Sequence, residues 1–330
     1  MALRIKEMAL IEDILSPKSS VATRDGYGKG LVEAGEENPN VWVITADVTE
    51  SARVNWFAEK FPKRFIQVGI AEQNMAGVAA GIAACGKTAV MSSFAAFSPG
   101  RNWDQIRVSI CYTDVNVKIC SSHAGLTVGP DGATHQALED IGMLRPLPNI
   151  TIIVPSDAEQ ARLATKALIA KHGPVYMRTS REKAAVFTTE KTPFEIGKAN
   201  IYRDGRDVTV VACGFEVYES LKASELLAKE GIECTVVDCH TIKPIDRETI
   251  IECARKTGVV VTVEEHQING GLGSAVSEVL AESNFGAILT RHGIMDTFCE
   301  SGDAKDLLKK YKLDAPGIVE VVREAMKNKK

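Results

Sequence analysis

A chain of 330 residues is longer than one ordinary domain and favours two, each able to bury its own core. An apolar fraction of 45% beside a charged fraction of 25% is the composition of a folded α/β protein and excludes an extended disordered chain. The formal net charge of -4, without a long run of lysine or arginine, argues against a nucleic-acid partner.

The first 19 residues, MALRIKEMALIEDILSPKS, read as an N-terminal extension. They lack the continuous apolar core and small-residue cleavage site of a secretory signal, and no apolar run approaches about 20 residues, so a cytoplasmic location without membrane association is expected. The strand-like runs VWVITADV (41–48), FIQVGI (65–70), TAVMSSF (88–94), VNVKICSS (115–122), ITIIVPS (150–156) and PVYMRTS (174–180) follow in order. Helical patterns lie between them, most clearly over 71–85 and over 157–171, where DAEQ supplies an N-cap and an acidic first turn. This alternation predicts a mostly parallel sheet covered by helices on both faces, a doubly wound domain over 20–190.

The stretch 182–205 is polar, broken by proline and glycine, and carries no long helical pattern, so a linker is expected at 191–205. The alternation then restarts with DVTVVACG, a helix over 216–229, IECTVVDC, a helix over 246–256, GVVVTVEEH and a helix opening at Gly271. A second, smaller doubly wound α/β domain is therefore expected over 206–330. The eight cysteines form no CxxC pair and lie mostly within apolar runs, which favours buried reduced thiols over a zinc site or disulfide framework.

Four stretches could carry chemistry. GGLGSAV at 270–276 follows a strand and opens a helix, but without a third glycine at dinucleotide spacing it reads as a tight turn. GLTVGPDGATHQALED at 125–140 places Asp131 and His135 in a glycine-rich loop after a strand ending near His123, where open parallel sheets bind ligands; a locally capped loop fits equally well. Phe94 and Phe97 end another strand, and on pattern alone they fill the core rather than stack on a ligand ring. Glu72, in VGIAEQN, opens a helix. There it either complements the helix dipole or, desolvated by its apolar flanks, serves as a proton donor or shuttle, and spacing leaves both open.

VGIAEQN, GPDGATHQ, LPNITIIVPSD and TSRE, in this order, resemble the C-terminal half of a transketolase-type thiamine diphosphate enzyme over nearly the whole chain. The resemblance implies a pyrimidine-binding domain over 20–190 and a transketolase C-terminal domain over 206–330. It implies that Glu72 hydrogen-bonds the far ring nitrogen of the cofactor's aminopyrimidine and favours the imino form that takes the proton from the thiazolium carbon. Phe94 and Phe97 match aromatics that pack on the pyrimidine. His123, Asp131 and His135 match residues facing the sugar, with His135 also catalytic; Arg181 matches a substrate-phosphate ligand, and Arg53 does so more loosely.

The chain lacks the family's GDG and is about half a full transketolase. An N-terminal partner subunit is therefore expected to bring the diphosphate site and Mg²⁺ (or Ca²⁺), with no metal ligands in this chain, since Asp303 in SGDA lies in the wrong context. A two-fold symmetric heterotetramer, inactive without the partner, is implied. The reaction implied is transfer of a two-carbon ketol unit between sugar phosphates, as in the pentose phosphate pathway. The long SPGRNWDQIR segment after Phe97 and the histidine in SSHAGL favour that reaction over a deoxyxylulose-phosphate synthase. The beta chain of a 2-oxo acid dehydrogenase first component ranks lower, and a non-catalytic regulatory subunit lower still.

Overall fold

The computed structural model describes residues 3–327 and 329. Fourteen strands occur among them: β1 (Ser20–Ala22), β2 (Val41–Thr45), β3 (Phe65–Gln67), β4 (Thr88–Phe94), β5 (Val117–Ser122), β6 (Thr151–Ile153), β7 (Val175–Arg178), β8 (Lys183–Ala185), β9 (Asn200–Arg203), β10 (Val208–Ala212), β11 (Cys234–Asp238), β12 (Thr241–Lys243), β13 (Val259–Gln267) and β14 (Ile288–Ile294). They form a seven-stranded sheet in the order β12-β6-β7-β5-β4-β2-β3, a five-stranded sheet in the order β14-β13-β10-β11-β9, and the small pair β1-β8. The large sheet is parallel except at β12, and the second is parallel except at β9. This is the expected α/β class with two doubly wound layers.

Burial explains the sequence pattern. All six residues of β5 are buried, as are six of seven in β4, because helices cover both faces of the sheet and select continuous rather than alternating apolar runs. Helix Thr23–Glu37 packs on helix Ala158–Ala170 so closely that a Cβ on Gly26 would overlap the Ala158 carbonyl oxygen. At that contact a helix-weakening glycine is required. Asp157 caps the second helix, accepting from Gln160 N at 2.8 Å, as the DAEQ start anticipates.

Four strands stop short of their expected carboxyl ends; β7 ends at Arg178, two residues before the end of PVYMRTS. The chain leaves β2 after Thr45 and turns at Asp47 with φ 59°, leaves β3 after Gln67 and turns at Gly69 with φ 76°, and leaves β6 after Ile153. Beyond β6 the run stays buried through Val154, Pro155 and Ser156, whereas after β3 Val68 is half-buried and Ile70 is exposed. Within 182–205 the chain forms two short strands, β8 against β1 and β9 on the edge of the second sheet.

The two sheets are joined, not merely adjacent. β12 belongs in sequence to the second half, yet it adds antiparallel to β6 of the first sheet. One apolar cluster runs from Ile44, Met91, Ile119 and Tyr176 to Val211, Val237 and Val276 without a break. A buried polar knot supports it: Asp238 accepts from Gln160 Nε2 at 2.6 Å and from the Tyr202 hydroxyl at 3.0 Å. Burial pushes the Asp238 carboxyl up to about 7. All eight cysteines are unpaired; seven are buried and Cys85, at the end of helix Glu72–Ala84, is exposed.

Candidate active site

In the large sheet the chain runs from β2 outward to β3 and then returns to β4 on the other side of β2. Such a reversal opens a crevice at the carboxyl ends of the strands. Each singled-out residue lies on a segment leaving that edge: Arg53 after β2, Glu72 after β3, Phe94 and Phe97 at and after β4, His123, Asp131 and His135 after β5, and Arg181 after β7. Residues scattered over 129 positions are thus gathered by one topological feature.

Glu72 opens helix Glu72–Ala84 and is only 4% exposed. Its carboxylate takes Nη1 of Arg101 at 3.1 and 3.3 Å, and its carbonyl accepts from the buried Asn102 amide at 3.2 Å. The Arg101 guanidinium lies over the Phe97 ring, 3.9 Å from its centroid. Phe97 in turn stacks near Phe94 at 6.0 Å, and the His135 ring meets both edge-on at 5.3 and 6.3 Å. Glu72, Ala71, Gln73, Asn74, Ile70 and Arg101 line an open cleft. Phe94 and Phe97 therefore stand at the site edge beside the carboxylate, away from the sheet interior that the pattern-only expectation gave them.

His123 follows β5 with φ 58°, a left-handed conformation uncommon outside glycine. Its ring lies 3.9 Å from that of Phe94. Nδ1 is 2.9 Å from the Ser122 hydroxyl and Nε2 is 3.2 Å from Arg24 Nη1. A guanidinium can only donate, so Nε2 accepts and the imidazole is neutral with its proton on Nδ1. Burial, then the positive charges of Arg24 and Arg181, push its pKa down to about 3.

Asp131 and Arg181 form a half-exposed ion pair at 3.4 Å, and Arg181 also donates to the Val128 carbonyl at 3.0 Å. His135 has Nδ1 2.8 Å from the Thr134 hydroxyl. Arg53 stands apart from this group. Its guanidinium pairs with Asp25, donates to the Glu50 carbonyl at 3.2 Å and rests against Trp56. Arg24, which the sequence reading passed over, points at the site with no carboxylate paired to it among the described residues; it donates to Ser51 O at 2.9 Å and faces His123. Burial and the nearby Arg53 depress its pKa, the mark of a cation without an anion.

The loop bearing Asp131 and His135 is held from the second unit. Thr127 donates its backbone N–H at 3.0 Å and its hydroxyl at 2.9 Å to Glu265, and Gln136 donates to the Glu300 carbonyl at 3.2 Å. Gly125, at φ 88°, has to be glycine on two counts, because a Cβ would also overlap the Glu265 carboxylate. Arg178 ties the same seam, pairing with Asp140 at 2.9 Å and donating to the Glu265 carbonyl at 2.7 Å.

The edge can take a flat heteroaromatic ring between an aromatic face and a buried carboxylate, with an arginine- and histidine-rich rim for an anionic, hydroxylated ligand. Among the described residues no group of three or more His, Cys, Asp or Glu is gathered as a metal site. No helix among them is long and apolar enough to cross a membrane.

Comparison with known proteins identifies the two domains. Residues 19–185 match the family model for the transketolase pyrimidine-binding domain, and residues 197–318 match that for the transketolase C-terminal domain. A putative transketolase C-terminal section of Methanocaldococcus jannaschii is 45% identical over 306 residues, 92% of this chain and 96% of that protein. A 6-deoxy-6-sulfo-D-fructose transketolase subunit of Clostridium sp. is 40% identical over 93% of this chain and 95% of its own length. Among solved structures, a split-gene transketolase in an inactive beta4 tetramer superposes with a TM-score of 0.88 at 45% identity, covering 94% of this chain and 100% of that one. The chain therefore belongs to the transketolase family and carries its pyrimidine-binding and C-terminal domains.

Proposed function

We propose that this chain is the C-terminal subunit of a two-chain, thiamine diphosphate-dependent transketolase that moves a two-carbon ketol unit from a ketose phosphate to an aldose phosphate. The observation that carries this reading is the meeting of Glu72, Phe97 and His135 at one sheet edge, where the acid lines an open cleft and Arg101 bridges it to the aromatic face. Thiamine diphosphate held there would supply an acidic ring carbon able to act as a nucleophile toward a ketose carbonyl.

The chain's own residues do the rest. Glu72 would hold a proton at the pyrimidine ring nitrogen, and Phe94 and Phe97 would fix the ring plane. His135 and the neutral His123 hydrogen-bond sugar hydroxyls and the carbonyl, and Asp131 reads a hydroxyl. Arg181 and Arg24 hold the anionic end of the sugar, which suits phosphate and equally the sulfonate named for the clostridial relative. Arg53, already committed to Asp25, contributes at most to the surrounding positive field.

An N-terminal partner would supply the diphosphate and Mg²⁺ site, with a two-fold heterotetramer as the assembly. The inactive beta4 tetramer of the similar chain supports that dependence. The test is reconstitution. The chain, an N-terminal transketolase subunit, thiamine diphosphate and Mg²⁺ together should convert xylulose 5-phosphate and ribose 5-phosphate, or a sulfosugar donor, with no turnover when either chain is omitted. Pyruvate consumption without ketol transfer would replace this reading with a synthase or dehydrogenase one.

A further inference from the structure

Arg101 lines the cleft just described and makes both contacts that a pyrimidine ring would need there. Its planar guanidinium lies over Phe97 at 3.9 Å, and one of its nitrogens reaches both oxygens of the Glu72 carboxylate at 3.1 and 3.3 Å. A guanidinium and an aminopyrimidine share the features that matter: each is flat, each stacks on an aromatic face, and each offers N–H groups in its plane to a carboxylate.

Resting on the thiamine reading above, we infer that Arg101 is a surrogate occupant of the aminopyrimidine berth, stacked on Phe97 and bonded to Glu72 until the cofactor displaces it. The geometry makes the displacement workable. Glu72 is 4% exposed while the Arg101 side chain is 49% exposed, so the acid stays in place and the arginine can swing into solvent. The arrangement also serves the chain before it meets a partner. It keeps a buried carboxylate paired and an aromatic face covered, two features that would otherwise be costly or adhesive on a free subunit.

Arg101 lies two residues after Pro99 and one after Gly100, in a segment that leaves the sheet edge at Phe94. Its neighbour Asn102 is buried and anchored to Glu72 O and to the Ser98 hydroxyl at 3.2 Å. The backbone of the plug is therefore fixed, and only its side chain has to move.

The test is binding of thiamine, without diphosphate or metal, to the full chain alone, followed by calorimetry and by side-chain NMR of the arginine Nε–H groups. Arg101→Gln should bind thiamine at least about tenfold more tightly than wild type. Arg101→Lys, which keeps the charge but loses the flat stacking group, should fall between them. In wild type, saturating thiamine should move the Arg101 Nε resonance to the position of a free arginine. Equal affinity in wild type and Arg101→Gln, with Glu72→Gln abolishing binding, would overturn the plug and leave the cofactor reading standing. Binding that ignores both substitutions would remove the cofactor berth itself. Should Arg101→Gln fold poorly, the wild-type NMR shift still decides, because an Arg101 signal unmoved by saturating thiamine contradicts displacement.

Discussion

The two sheets are built alike, but their carboxyl edges are used in opposite ways. At the edge of the second sheet, β13 carries Glu264, Glu265 and His266 just before its last residue, all buried. Glu264 accepts from Leu272 N at 2.6 Å and Gly273 N at 2.7 Å, so the protein's own carboxylate fills the N-terminus of helix Leu272–Glu282. Glu265 is spent on Thr127. The GGLG stretch, which its sequence reads as a tight turn, is thus closed from within. At the first sheet's edge the comparable acid, Glu72, meets only a half-exposed arginine, and a cleft remains. Acids at strand ends can either close a fold or open a site, and which they do depends on whether backbone N–H groups have already claimed them.

That contrast can be broken by exchanging the insult between the two edges. Glu72→Gln in the reconstituted enzyme should cut ketol transfer by about 10²–10⁴-fold, the range for loss of a positioned acid–base group. Its thermal midpoint should barely move, since an acid at a helix start contributes at most about 1 kcal/mol. Glu264→Ala should do the reverse. It strands two buried N–H donors that now have a charged acceptor, a loss of about 2–3 kcal/mol in denaturant unfolding, with substrate KM unchanged.

Arg24→Gln tests the rim. Removing one charge-assisted contact to an anionic sugar should raise KM about tenfold or more for phosphorylated donors, with a smaller change for an unphosphorylated one. Arg53→Gln should leave the same ratio nearly unaltered, because Asp25 already holds that guanidinium.

The smallest effect concerns His123. Its pKa of about 3 predicts ring resonances that do not shift between about pH 8 and pH 5. Because the folded value lies below the unfolded one, the unfolded chain binds the extra proton first. This group's contribution is therefore complete above about pH 6.5 and is lost as pH falls toward about 3. An NMR titration midpoint near pH 6.5 would contradict the Arg24 and Ser122 contacts.

Much of the first edge was legible in the sequence because the family spacing runs along the chain: an acid a few residues past a strand, two phenylalanines at the end of another, a glycine loop after a third. What was not legible depends on long-range partners. Arg101 meets Glu72 across 29 residues, Arg24 meets His123 across 99, and Thr127 meets Glu265 across 138. Local pattern carries no signal for such pairs. β12 escaped for the same reason, being three residues long and held by pairing and packing with the other unit. Phe94 and Phe97 mark the boundary case, since apolar pattern alone gave them to the core and only the family resemblance assigned them to the pyrimidine.

The most direct measurement is the protonation state of the cofactor's pyrimidine ring, read by NMR of isotopically labelled thiamine diphosphate in the reconstituted complex. The ring nitrogen facing Glu72 should report a protonated or strongly hydrogen-bonded state in wild type and revert to that of the free cofactor in Glu72→Gln. Identical ring-nitrogen signals in the two proteins would contradict the assignment of the open edge to the pyrimidine.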